Sequence, residues 1–168
     1  MTTRFGHPLL TQQGINNQWH DARSFLISTP VYGAETESYL TARCETFYDA
    51  ATAEALLGSG AQAIITQGFF AANPQGETVL LGRGGSDTSA ALIACKVQAA
   101  CCEIWTDVPG IYTANPHQLP EARLLKQLNY DEAQEIASMG AKVLHPNCIP
   151  PVRKANIPMV VKYTQMPE

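Results

Sequence analysis

Residues 79–90, Val-Leu-Leu-Gly-Arg-Gly-Gly-Ser-Asp-Thr-Ser-Ala, have the composition of a binding site for a small anion. An apolar run leads into a glycine-rich bend, and the alanine-rich stretch that follows is typical of a helix. Such a bend directs backbone N–H groups and a helix N-terminus toward one point, which favours negative charge. Arg83 could pair with a carboxylate there, and Asp87 could manage the charge around a phosphate. The sequence therefore predicts a small-molecule site rather than an ordinary turn.

Two common nucleotide-binding motifs do not match this bend. The dinucleotide fingerprint needs a glycine at its sixth position, which is Asp87 when the count starts at Gly82, and a carboxylate there would repel a pyrophosphate. A Walker loop needs a Gly-Lys-Ser/Thr sequence, and none follows the bend. An anion site at this place therefore requires another fold.

The elements that must position the bend alternate along the chain. Strands are predicted over 24–28, 61–68, 102–106 and 157–162, and a hairpin over 69–81 around an Asn-Pro-Gln-Gly turn. Helices are predicted over 46–57, from Ser86 or Asp87 to about Ala99, from Asn129 (with Glu132 as its capping-box partner) to Gly140, and briefly after His145-Pro146. This alternation predicts a layered α/β fold with a mainly parallel sheet.

Composition narrows the class of protein. The chain has 168 residues, of which 45% are hydrophobic and 15% charged, as expected for one globular domain with a real core. A net charge of −4 without any cluster of Lys and Arg argues against nucleic acid as a partner. No apolar run approaches the roughly 20 residues that span a bilayer, and the N-terminus does not resemble a signal peptide. We therefore expect no membrane partner and a cytoplasmic location.

The cysteines are expected to be buried, reduced thiols. They form no Cys-x-x-Cys pair and have no metal-ligand spacing with the histidines, so neither a disulfide framework nor a cysteine metal site is predicted. The five residues are Cys44, Cys95, Cys101, Cys102 and Cys148.

Three segments together resemble the signature segments of aspartate kinases, in the order and at the spacing of that family. They are Leu-Gly-Arg-Gly-Gly-Ser-Asp-Thr-Ser-Ala-Ala at 81–91, Trp-Thr-Asp-Val-Pro-Gly-Ile-Tyr at 105–112 and Gly-Ala-Lys-Val-Leu-His-Pro at 140–146. The resemblance implies the amino-acid kinase fold, a three-layer α/β/α sandwich with a mainly parallel sheet. It also implies transfer of the ATP γ-phosphoryl group to the β-carboxylate of L-aspartate, the first step of lysine, threonine and methionine biosynthesis.

The resemblance assigns the glycine bend to the aspartate side of the site. Arg83 is expected to bind the α-carboxylate, because a guanidinium fork matches a carboxylate bidentately. Asp87 matches the acidic residue that orders the catalytic lysines and the substrate ammonium. The other residues expected to line this pocket are Phe69, Gly82, Gly84, Gly85 and Ser86.

The resemblance assigns the other two segments to ATP. Thr106, Asp107 and Tyr112 match positions that hold the nucleotide, and Lys142 matches a lysine that approaches the phosphates. Mg²⁺ is expected to neutralise those phosphates, held by phosphate oxygens and water, so no protein metal site is predicted. His145 is interpreted as the residue that begins a short helix rather than as a base, since a substrate carboxylate is already ionised at neutral pH.

The chain departs from the family pattern in two places. It reads Asn-Pro-His at 115–117 where the family commonly has Asp-Pro-Arg, and loss of that arginine should weaken ATP binding. It also shows no Lys-Phe-Gly-Gly-Thr segment and no Ser-Gly-Glu segment, and we expect no regulatory ACT domain. Residues 1–168 are therefore expected to be a partial amino-acid kinase domain that lacks its N-terminal part and has weak or no activity alone.

Two alternatives remain open at this point. One is a non-catalytic module for aspartate binding or assembly that derives from an aspartate kinase. The other is a segment of a bifunctional polypeptide fused to homoserine dehydrogenase or diaminopimelate decarboxylase, because residues 76–81 and 87–90 look more like fusion-type kinases. A homo-oligomer is also compatible with the resemblance.

Overall fold

The computed structural model describes residues 2–30, 35–140 and 143–166. Its helices are α1 (Thr2–Gln12), α2 (Glu35–Leu40), α3 (Ala50–Leu57), α4 (Gly85–Val97), α5 (Tyr130–Ser138) and α6 (Ile149–Ala155). Its strands are β1 (Asn17–His20), β2 (Ala63–Thr66), β3 (Phe70–Ala72), β4 (Thr78–Leu80), β5 (Cys102–Thr106) and β6 (Met159–Tyr163). Two 3₁₀ helices lie at Ala22–Ser24 and Pro146–Cys148.

The described strands pair two by two. β1 and β2 are parallel, with Asn17 opposite Ala63, and β5 and β6 are parallel, with Cys102 opposite Met159. β3 and β4 form the antiparallel hairpin that the Asn-Pro-Gln-Gly turn predicts. Parallel pairs require helical crossovers, which α2 and α3 supply between β1 and β2, and α5 and α6 between β5 and β6. The predicted α/β class is confirmed.

Helix α4 belongs to both hydrophobic clusters of the core. One cluster joins α4 to β5 and α6, and Ala91, Ile104 and Val152 lie in it. The other joins α4 to the hairpin and includes Val79 and Leu92. Because α4 buries eight of its 13 residues, more than a single apolar stripe, it packs against elements on more than one side. The glycine bend at its N-terminus is therefore attached to both halves of the core.

Three sequence-based boundaries were wrong. The strand predicted over 24–28 is reduced to two isolated β-bridges, Ile27 with Ala72 and Ser28 with Cys44. Ser24 instead ends the first 3₁₀ helix, which begins because the Asp21 side chain accepts the Arg23 N–H. The helix predicted from residue 46 begins only at Ala50, where Asp49 caps the N–H groups of Ala51 and Thr52. Helix α4 begins at Gly85, slightly before the prediction, and α1 and β1 were not predicted.

Four of the five cysteines are buried as expected, and Cys101 is exposed, contrary to the prediction. Cys101 lies between the end of α4 and the start of β5, where the chain reaches the surface before β5 returns to the core. All five thiols are free. None of the described helices has the length and apolar character needed to cross a membrane.

The N-terminus of α5 carries the predicted capping box. Asn129 accepts hydrogen bonds from the N–H groups of Asp131 and Glu132 at 3.0 and 2.9 Å, and Glu132 accepts the Asn129 N–H at 2.9 Å. Asn129→Ala is expected to lower the free energy of unfolding by about 1 kcal/mol, as measured by equilibrium urea denaturation. Glu135→Ala, an exposed position in the same helix, is the control; an equal loss in both variants would contradict a role for the cap.

Candidate active site

The bend between β4 and α4 is built from glycines in the left-handed region. Gly82 has φ +73° and Gly84 has φ +65°, and the Gly85 N–H donates to the Gly82 carbonyl at 3.1 Å. Arg83 lies between them, exposed, and forms no hydrogen bond or ion pair with any residue that the structure describes. Its guanidinium group is therefore not engaged by the described residues, and its binding of a carboxylate stays a prediction.

Phe69 lies between β2 and β3 and packs on the first turn of α4. It has φ +75°, an uncommon conformation for a side chain other than glycine, which costs of order 1–3 kcal/mol and is typical of functional sites. Its N–H donates to Oγ of Ser89 at 3.3 Å, and that hydroxyl donates to the Ser86 carbonyl at 2.8 Å. A Cβ at Gly85 would lie 2.4 Å from Cδ2 of Phe69, so the ring packs directly on the helix backbone.

Asp87 and His145 connect the same turn to the segment before the second 3₁₀ helix. Oδ2 of Asp87 accepts the His145 N–H at 3.4 Å, a long hydrogen bond, and Asp87 is half-buried. Nδ1 of His145 accepts the Asn147 N–H at 3.3 Å and caps that helix, which agrees with the role that the sequence predicts. Phe69, Gly84, Gly85 and Asp87 thus form one cluster around the start of α4.

Two buried thiols lie near Asp87. Burial raises the pKa of Cys148 to about 12 and that of Cys102 to about 11, and the negative charge of Asp87 contributes to both increases. Both groups therefore stay protonated at neutral pH, and a reactive thiolate is not available beside the carboxylate. Asp87 remains as the charged group of this cluster.

The predicted nucleotide residues form a second group at the carboxyl end of β5. Thr106 ends the strand and donates from Oγ1 to Oδ1 of Asp107 at 3.2 Å, while its carbonyl accepts from Thr164. Asp107 is exposed, and Tyr112 is half-buried and bridges to Leu124. Open α/β sheets place ligands at this end of their strands.

No hydrogen bond or ion pair between described residues joins this second group to the glycine bend. The two are linked through packing, because α4 and β5 share one hydrophobic cluster. Lys142 lies outside the described residues, so its predicted place near the phosphates stays a prediction. Gly82 and the exposed Ser86 lie in the bend and the first turn of α4. Within the described ranges, no three side chains of His, Cys, Asp or Glu are grouped to hold a metal ion.

The sequence did not single out Ser89 as a residue of this site. In the structure only 1% of it is exposed, and its hydroxyl forms hydrogen bonds with both Phe69 and Ser86. A serine within an alanine-rich helix was the available signal, since a buried hydroxyl requires a partner. That partner is created by the left-handed conformation of Phe69, which the sequence does not reveal.

The sequence profile of the amino acid kinase family matches residues 1–163. The chain belongs to the amino acid kinase family. The resemblance to aspartate kinases and the fold that it implies are both confirmed by the relatives of this chain within that family.

Two curated relatives and one solved structure show the similarity. The chain is 53% identical over 104 residues to a bifunctional aspartokinase/homoserine dehydrogenase of Haemophilus influenzae, covering 62% of this chain and 13% of that protein. It is 36% identical over 167 residues to the lysine-sensitive aspartokinase 3 of Escherichia coli, covering 99% of this chain and 36% of that protein. The crystal structure of E. coli aspartokinase III with aspartate and ADP matches with a TM-score of 0.79 at 35% identity, covering 95% of this chain and 35% of that one. The chain therefore spans about a third or less of the length of these proteins.

Proposed function

We propose that this chain carries the aspartate pocket and part of the ATP site of an aspartate kinase. The reaction transfers the γ-phosphoryl group of ATP to the β-carboxylate of L-aspartate and yields 4-phospho-L-aspartate and ADP. The observation that carries the proposal is the glycine bend, in which Arg83 has no polar partner among the described residues and which Phe69 and Asp87 connect to the rest of the fold. The similarity to a kinase crystallised with aspartate and ADP supports it.

Arg83 and Asp87 each have a role in this reaction. Arg83 offers two parallel N–H donors to the α-carboxylate, which orients the substrate as well as binding it. The Asp87 carboxylate pairs with the substrate ammonium and positions the catalytic lysines that the resemblance implies. The β-carboxylate of the substrate has an ordinary pKa of about 4 and is ionised at neutral pH, so no general base is required.

The nucleotide side needs charge stabilisation rather than covalent chemistry, because phosphoryl transfer depends on positioning and on neutralising the transferred group. Thr106, Asp107 and Tyr112 are proposed to hold ATP, and Lys142 to neutralise the phosphates. When bound, Mg²⁺ would lower the charge on the phosphate oxygens, and we expect those oxygens and water to hold it.

The arrangement of the whole protein is also a proposal. The relative from Haemophilus influenzae joins an aspartokinase to a homoserine dehydrogenase, and we propose the same parent polypeptide here, ahead of a decarboxylase fusion. A homo-oligomer and a cytoplasmic location remain predictions.

Ligand discrimination tests the proposed function. L-Aspartate is expected to bind at least about tenfold more tightly than succinate, which lacks the ammonium group, and than β-alanine, which lacks the α-carboxylate. Isothermal titration calorimetry measures the three affinities, and trapping of the product with hydroxylamine measures transfer from ATP. Equal affinity for succinate and L-aspartate would contradict the assignment of Asp87, and equal affinity for β-alanine and L-aspartate would contradict that of Arg83. Binding of L-aspartate without any binding of ATP would favour the non-catalytic module.

A further inference from the structure

The side chain of His145 occupies the space in which a side chain at Gly84 would lie. A Cβ added to Gly84 would be 2.2 Å from both Cβ and Cγ of His145 and 2.7 Å from its Cδ2. These distances are far below van der Waals contact, so Gly84 lies directly against the inner atoms of the imidazole. Since Gly84 precedes the first residue of α4, this contact supports the bend next to the place where Phe69 packs on Gly85.

The remaining polar groups of His145 hold it in this place. Nδ1 accepts the Asn147 N–H, and the His145 carbonyl accepts the Cys148 N–H at 3.1 Å and the Cys148 thiol at 2.9 Å. The His145 N–H donates to Asp87. Because Nδ1 is an acceptor, the neutral ring must carry its proton on Nε2. Ring and backbone are thus tied at once to the second 3₁₀ helix and to the first turn of α4.

We propose that His145 is a positioning residue: its Cβ, Cγ and Cδ2 atoms support Gly84 and thereby set the position of Arg83 and Asp87. The capping bond from Asn147 to Nδ1 holds the ring in the orientation that this support requires. The effect on ligand affinity rests on the proposed function, whereas the effect on the bend does not. His145 transfers no proton in this role.

Three substitutions separate shape, hydrogen bonding and proton transfer. Asparagine keeps Cβ and Cγ and places an oxygen and a nitrogen on Cγ where histidine has Nδ1 and Cδ2, so His145→Asn retains both support and cap but cannot act as an acid or base. His145→Leu keeps the branched shape without an acceptor. His145→Ala keeps only Cβ, so it loses Cγ and Cδ2 of the support together with the acceptor.

The affinity for L-aspartate, measured by calorimetry, is expected to fall about tenfold in His145→Ala, as loss of a cap of ordinary strength implies. His145→Asn is expected to bind within about twofold of the unchanged chain, and His145→Leu between the two. Unchanged binding by His145→Ala would overturn the proposal. Equally weak binding by His145→Asn and His145→Ala would also overturn it, since the imidazole itself would then be required.

A second measurement keeps the test independent of the ligand. The Thr88 N–H donates to the Gly84 carbonyl at 2.9 Å, so its exchange with solvent reports the order of the bend. Exchange is expected to be about tenfold faster in His145→Ala and unchanged in His145→Asn, followed by NMR. His20→Ala is the control, because the His20 ring hydrogen-bonds to Gln18 of its own strand, at 3.2 Å, and to no other residue that the structure describes.

The outcomes distinguish the two proposals. If the unchanged chain fails to bind L-aspartate, or binds it independently of Arg83, the proposed function fails and the exchange data alone decide the role of His145. If Thr88 exchange is the same in His145→Ala as in the unchanged chain, or rises equally in His20→Ala, the positioning role is wrong even when L-aspartate binds.

Discussion

Arg83→Ala is expected to weaken the binding of L-aspartate by about 100-fold. Two charge-assisted hydrogen bonds to a carboxylate together contribute about 3 kcal/mol, which corresponds to that change in the dissociation constant. Arg83 is exposed and makes no polar contact with the described residues, so its removal should leave the free energy of unfolding within about 0.5 kcal/mol of its original value. Calorimetric titration and urea denaturation of the same preparation measure the two quantities.

Arg83→Lys and Arg153→Ala complete this experiment. Lysine keeps the charge but not the planar fork, so Arg83→Lys is expected to recover only part of the affinity. Arg153 is an exposed arginine that is already paired with Asp131, at 2.6 Å, and its replacement by alanine should not change the binding of L-aspartate. Full affinity in Arg83→Ala, or an equal loss in Arg153→Ala, would remove Arg83 from the binding site.

Gly85→Ala is expected to disrupt the site and to destabilise the fold. The added methyl group would lie 2.4 Å from Cδ2, 3.2 Å from Cε2 and 3.3 Å from Cα of Phe69, and the backbone of Phe69 is held by its bond to Ser89. Overpacking of this kind costs about 1–3 kcal/mol. Because the displaced helix turn carries Asp87, we also expect the affinity for L-aspartate to fall at least about tenfold. Thermal unfolding and calorimetry measure the two effects.

Gly6→Ala provides the matched control, since Gly6 lies inside α1 and a Cβ there meets nothing within 4 Å. Alanine at that position should stabilise the chain by up to about 1 kcal/mol through its higher helix propensity. A second variant, Gly85→Ala with Phe69→Ala, removes the ring that the methyl group meets. If the steric conflict with Phe69 is the cause, the double variant should lose less stability than the sum of the losses in Gly85→Ala and Phe69→Ala. A loss equal to that sum would point to another origin.

The sequence was sufficient where local chemistry decides the structure. The glycine bend and α4 follow from left-handed positions that glycine adopts readily and from an alanine-rich helix, and Asn129 with Glu132 marks the start of α5. The order of β5, α5 and β6 also follows from local patterns. For these elements, the residues that determine the structure lie within the element or directly beside it.

The sequence was insufficient where contacts between residues far apart in the chain determine the structure. Helix α1 contains Gly6 and Pro8, which obscure a helical pattern, and it is placed by packing on β1 and by contacts such as the bond between His7 and Asn17. The left-handed conformation of Phe69 depends on Ser89, which is 20 residues away. The packing of His145 on Gly84 joins residues that no periodic pattern connects. Motifs therefore identify the residues of this site, whereas their mutual support is visible only in three dimensions.

Helix α4 runs through both hydrophobic clusters, and this has a consequence for cooperativity. Neither cluster can come apart without exposing one side of the same helix, so the two halves of the molecule are expected to lose their structure together. A small molecule held by the first turn of that helix contributes its binding free energy to the whole described fold. Occupancy of the bend and the integrity of distant strands such as β6 are thus thermodynamically linked, without any moving part between them.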